Sequence, residues 1–118
     1  MNNLILSAAL ATIFSVSAWG VDDAMLRDGK QSYEYWCATC HGEGPGRPAT
    51  QALDAKYKGA KPAVLDQRTD LTPPVVKAFV RKGVSIMPFF RKTELTDAQL
   101  DAVAAYVTRN SAAPGAAK

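Results

Sequence analysis

Residues 35–44 read Tyr35-Trp36-Cys37-Ala38-Thr39-Cys40-His41-Gly42-Glu43-Gly44, and they hold both cysteines and the one histidine of the chain. Two cysteines three apart can form a redox dithiol, supply half of a zinc site, or carry a covalently attached haem. A structural zinc site takes four Cys or His ligands, commonly in two pairs. With two Cys and one His, zinc would need a carboxylate to close its shell. A thioredoxin-like dithiol sits at a helix N-terminus within a βαβ unit, where the helix dipole lowers the thiol pKa. Here the motif falls at the C-terminal end of an expected helix, where the dipole acts in the opposite sense. Haem attachment explains more of the pattern. Residues i and i+3 project from one side of a helical turn, so Cys37 and Cys40 can both reach one porphyrin. His41 then approaches the iron from that face, and thioethers consume both thiols. Cys-x-x-Cys-His is also the known signature of c-type haem attachment.

The 118 residues suit one small domain, and 47% hydrophobic with 21% charged residues is an ordinary globular composition. A large bound apolar group would add buried surface that so short a chain lacks. The net charge of +3 comes without dense Lys/Arg clusters interleaved with aromatics, so nucleic-acid binding is not expected.

Residues 4–18 carry no charge and end in Val16-Ser17-Ala18, the pattern of a secretory leader with cleavage after Ala18 or Gly20. The run is shorter than the roughly 20 apolar residues of a comfortable transmembrane helix. The n-region lacks Lys and Arg, so a retained anchor is the alternative. Residues 1–20 are thus expected to be a signal peptide, 21–110 the domain and 111–118 a flexible tail. The mature protein would work in the periplasm, without stable membrane insertion.

Within the domain, Asp22 or Asp23 caps a helix running through the motif, with Ala24, Leu26, Gly29, Tyr33 and Trp36 or Cys37 at helical spacing. Gly29 is costly inside a helix and predicts a second backbone passing close by. Residues 42–50 are loop, 49–59 a short helix and 60–70 irregular. Thr72, two prolines and Gly83 delimit a helix whose inner face is Val75, Val76, Phe79 and Val80. Pro88 makes 84–95 neither helix nor central strand. Thr96 and Gln99 form a capping box for a last helix with Leu100, Val103, Tyr106 and Val107 on its apolar side. The expected class is all-α.

Once His41 is a proximal ligand, Met87 becomes the candidate for the other side of the iron. Met1 leaves with the leader and Met25 lies on the first helix, whereas Met87 stands before Pro88 on a non-helical segment. Filling a core gap is the commoner fate of methionine.

Gly29-x3-Tyr33-x3-Cys37-x2-Cys40-His41, then Met87-Pro88, then a last helix bearing Tyr106, resembles the small class I cytochromes c over nearly the whole mature chain. The resemblance implies a cytochrome c fold around one haem c, with N- and C-terminal helices crossing at Gly29 beside Tyr33 and Tyr106. It also implies that a loop proline carbonyl, from Pro45 or Pro48, holds the second nitrogen of His41. His41/Met87 ligation would make an electron carrier with no open site, rather than an enzyme. The alternative is a peroxidatic or ligand-binding haem protein with Met87 in the core. The run from Val80 to Asn110 is similar to cytochrome subunits paired with flavin dehydrogenases of the 4-cresol dehydrogenase type, which implies a flavoprotein as redox partner. Arg81-Lys82 and Arg91-Lys92 bracket Met87 and could steer an acidic partner, although two haem propionates would cut the charge to about +1.

Overall fold

The computed structural model describes residues 21–111. Residues 1–20 and 112–118, on which the expected leader and most of the expected tail fall, lie outside the described residues. Five helices follow in order: α1 Asp23–Trp36, α2 Ala38–His41, α3 Pro48–Tyr57, α4 Pro73–Lys82 and α5 Asp97–Val107. A 3-10 turn, Leu65–Gln67, lies between α3 and α4 in the stretch expected to be irregular. Among the described residues the β-type pairing is an isolated bridge from Val84 to Met87, so the all-α expectation holds. No helix of the described residues is long and apolar enough to cross a membrane.

Asp22 is the cap of α1, its carboxylate accepting the Met25 N–H at 2.7 Å. The helix does not run through the motif as expected. It stops at Trp36, Cys37 takes φ −113° and ψ −41°, and α2 forms as a separate single turn. At the start of α4, Thr72 holds the cap position without a side-chain hydrogen bond. Pro73 and Pro74 remove two of the first-turn N–H groups, so fewer orphan donors are left to satisfy.

Helix α5 is the axis of the core. Leu100, Val103, Ala104, Tyr106 and Val107 are buried, and α1 and α4 pack on them through Tyr33, Val76 and Val80. One expectation fails here: Val75 and Phe79 are 41% and 46% exposed. Helix α4 packs on α5, and the i, i+4 pair Val76/Val80 supplies that seam. Val75 and Phe79 are rotated out of it.

The α1–α5 crossing explains Gly29. A Cβ built there would strike the Ala102 carbonyl, 2.6 Å from its carbon and 2.9 Å from Cβ of Tyr106. One turn along α1, the Tyr33 and Tyr106 rings sit tilted with centroids 5.5 Å apart. Tyr106 also donates to Asp66 Oδ2 at 3.2 Å, and Asn110 donates to the Asp66 carbonyl at 3.3 Å, which ties the 3-10 turn to α5. The loop before it is fastened by Arg68, which is 6% exposed. Its guanidinium grips both Asp70 oxygens at 2.6 and 2.8 Å and donates to the Tyr57 hydroxyl at 2.9 Å.

The expected capping box is present in both directions: Gln99 N–H to Thr96 Oγ1 at 3.2 Å, and Thr96 N–H to Gln99 Oε1 at 2.9 Å. Because α5 carries the core, this cap bears on global stability. Thr96→Ala should lower the unfolding free energy by about 1 kcal/mol, read from the midpoint of a urea melt.

Candidate haem-binding site

The motif is held as a turn rather than as part of a long helix. His41 N–H donates to the Cys37 carbonyl at 2.9 Å, and Gly42 N–H donates to the Ala38 carbonyl at 2.8 Å. Three side chains fasten the carbonyls of this turn. Tyr33 donates from its hydroxyl to the His41 carbonyl at 3.2 Å, and Thr50 donates to the Gly42 carbonyl at 2.8 Å. Arg47 reaches the carbonyls of Thr39 and Glu43 at 3.3 and 3.4 Å. Of these only Tyr33 was expected near the site, and as a helix-crossing neighbour rather than as a donor to the turn.

Cys37 and Cys40 are free thiols, Cys37 half-buried and Cys40 exposed. Burial, with a smaller contribution from Cys40, pushes the Cys37 thiol up to about 11. Reactive dithiols have depressed pKa values, so this environment disfavours thiolate exchange chemistry. Burial also depresses the His41 pKa. The imidazole is therefore neutral at ordinary pH, the form that binds a metal. His41 Nδ1 is buried without a hydrogen-bond partner, so neither the Pro45 nor the Pro48 carbonyl takes it. A buried neutral imidazole beside two unpaired thiols is a donor set short of a partner. Among the described residues no three His, Cys, Asp or Glu side chains converge on a metal position. An iron at His41 must bring further donors with it, as the four pyrrole nitrogens of a porphyrin do. The residues present fit a haem.

Met87 lies on the other structural arm. Val84 and Met87 exchange backbone hydrogen bonds, Val84 N–H to the Met87 carbonyl at 3.1 Å and Met87 N–H to the Val84 carbonyl at 2.9 Å. Ser85 takes φ +53° at the turn. The arm therefore has a definite shape, although Pro88 bars it from helix. Met87 and Cys37 pack against the same core cluster, together with Trp36, Ala38, Leu65, Leu71 and Phe90. Trp36 and Phe90 meet edge to face with centroids 5.7 Å apart. Trp36 adjoins Cys37 and Phe90 is three residues past Met87, so this aromatic contact joins the two arms. No local signal in the sequence pairs those two rings.

The four flanking cations are mostly engaged. Arg81 pairs with Asp97 at 2.8 Å, Lys92 with the same carboxylate at 2.8 Å, and Arg91 with Glu94 at 2.9 Å. Lys82 is exposed and has no ion pair among the described residues.

A family model described as "Cytochrome C oxidase, cbb3-type, subunit III" matches residues 24–107, well over half of the chain. Neither the curated proteins nor the solved structures offer a match. The matched span begins in α1 and ends with the last residue of α5, taking in the motif, the Met87 arm and the helix crossing. The chain belongs to this family: it is a c-type cytochrome, a haem-based electron-transfer protein.

Proposed function

We propose that this chain is a monohaem electron carrier in which Cys37 and Cys40 hold one haem c by thioether bonds and His41 and Met87 ligate its iron. The observation that carries this reading is the seating of the Cys37–His41 turn and the Met87 arm on one apolar cluster, joined by the Trp36–Phe90 contact. When bound, the haem supplies reversible one-electron chemistry at its iron. The chain's own residues do the rest. Tyr33, Thr50 and Arg47 hold the turn carbonyls, the apolar cluster excludes water, and a thioether opposite a neutral imidazole favours the reduced metal.

The leader-like residues 4–18 support a periplasmic site of action, where covalent haem attachment and an oxidising environment go together. The electron donor on this reading is a dehydrogenase, and the similarity of residues 80–110 to the cytochrome subunits of flavin dehydrogenases supports a flavoprotein.

The reading is tested on purified holoprotein in two steps. Acid–acetone extraction should leave the haem on the polypeptide, and the reduced native protein should bind carbon monoxide poorly. Haem lost to the solvent would remove the thioethers, and ready carbon monoxide binding would favour an open sixth site.

Asp97 and Glu94 offset two of the four charges of Arg81, Lys82, Arg91 and Lys92, which leaves a net charge of about +2 flanking Met87. Oxidation of the reduced protein by ferricyanide should therefore slow several-fold between ~0.01 and ~0.15 M ionic strength. A rate unchanged by salt would show that the residual charge exerts no steering field.

A further inference from the structure

The Met87 arm has few contacts of its own. Val84, Ile86 and Phe89 are 49%, 84% and 61% exposed. Apart from the contact of Met87 itself with the core cluster, packing does little to hold the arm, and its position is set at its two ends. The near end is backbone geometry. Gly83 takes φ +70°, and a Cβ there would lie 2.8 Å from the Met87 carbonyl oxygen and 3.0 Å from the Phe89 nitrogen. At the far end, Phe90 returns to α4 and donates its N–H to the Val80 carbonyl at 2.9 Å.

One side chain closes that far end. Arg81 Nη1 donates to the Phe90 carbonyl at 2.9 Å, and its Nη2 binds Asp97 Oδ1 at 2.8 Å. Its planar fork thus joins the end of α4, the residue that closes the Met87 arm, and the first turn of α5. Asp97 is 61% exposed, so that ion pair alone would contribute little. The bond to Phe90 is different, being charge-assisted and part-buried.

We infer that Arg81 is a positioning residue for Met87, holding the arm closed so that the thioether stays on the iron. This rests on the reading of Met87 as sixth ligand. The Arg81 side chain hydrogen-bonds to Phe90 and Asp97, and neither to the turn of Cys37–His41 nor to Met87, so it acts through Phe90. Loss of its fork should raise the population of the ligand-detached state roughly tenfold.

The test uses oxidised holoprotein and the weak sulfur-to-iron charge-transfer band at the red end of its spectrum, followed through a urea titration beside far-UV circular dichroism. Arg81→Gln should lose the band at lower urea than it loses helix, and its reduction potential should fall. Arg81→Lys should recover part of both. Lys77→Gln is the structural control, because Lys77 pairs with Asp101 across the same two helices away from the arm. It should shift helix melting and leave the band tied to it. Should Arg81→Gln fail to fold, Arg81→Lys, which keeps the charge but loses the planar fork, is scored in its place for the same early loss of the band, smaller in extent. Band and helix melting together in the scored variant, as in Lys77→Gln, would overturn the inference. A wild-type protein without the band would overturn the Met87 reading, and this inference with it.

Discussion

Gly29→Ala should unfold this protein at a markedly lower temperature, although alanine is the better helix former. The intrinsic gain of alanine over glycine inside a helix is at most about 1 kcal/mol. Against it stands a Cβ 2.6 Å from the Ala102 carbonyl carbon and 2.9 Å from Tyr106 Cβ, neither of which can turn aside as the end of a side chain could. Ordinary van der Waals contact begins near 3.4 Å, so the helices must separate by the better part of an ångström. That movement opens the seam where Tyr33 meets Tyr106 and loosens Val103 and Val107, which are 1% and 0% exposed. Overpacking of this kind costs about 1–3 kcal/mol and sometimes more, so the net change is destabilising. For a domain of this size a net loss of about 1–2 kcal/mol lowers the midpoint by roughly 4–16 °C. The Tyr33 hydroxyl, which holds the His41 carbonyl, moves with α1, so haem yield should fall too. Calorimetry of the Gly29→Ala holoprotein decides the matter, and a midpoint equal to or above wild type would refute close backbone packing at this crossing.

Met87→Ala should leave the fold standing and change what the iron does. The turn at Val84–Met87 is held by backbone hydrogen bonds, which alanine keeps, and Met87 is only half-buried. The stability cost should therefore lie at or below the low end of the ~2–5 kcal/mol typical of fully buried large-to-alanine changes. The chemistry should shift much more. Without the thioether the reduced protein should bind carbon monoxide readily, and the charge-transfer band should vanish. The reduction potential should fall by on the order of 0.1 V, a modest share of the ~0.8 V that axial ligation spans across haem proteins. A variant with the spectrum and potential of the wild type would place Met87 in the core and leave the sixth position to another group.

The two changes divide the protein usefully. Gly29 governs how closely the helices approach, and on the proposed ligation Met87 governs what the closed protein can do. Arg81 lies between these roles, since it bonds the arm of Met87 to the helix that carries the core.

Much of this was legible in the residues because the signals are local. Cys37, Cys40 and His41 lie within five positions of one another, and their backbone hydrogen bonds confirm a turn. Thr96 and Gln99 are three apart, and their capping box forms in both directions. Gly29 was legible for another reason: a glycine inside an apolar helical pattern has a propensity cost that a close backbone contact explains. What escaped was orientation and long-range pairing. The apolar spacing of α4 admitted Val75 and Phe79 to the core, but one packed neighbour uses a narrower seam. The bonds from Tyr33 to the His41 carbonyl and from Thr50 to the Gly42 carbonyl each span eight residues. Arg81 and Asp97 are 16 apart, and Tyr106 and Asp66 are 40 apart. No residue-type pattern at such separations marks one partner among many.

By itself, the sequence determined the class of the fold and supplied the Cys-x-x-Cys-His motif and the methionine on which the proposed ligation rests, because those follow from short-range spacing, capping and a count of ligand types. Only the tertiary structure decided that Trp36 meets Phe90, that Arg81 bonds the Phe90 carbonyl at the end of the Met87 arm, and that Asp97 and Glu94 offset half of the charge around it. Those outcomes depend on how helices set far apart in the chain come to rest against one another, and that is a property of packing in space rather than of order along the backbone.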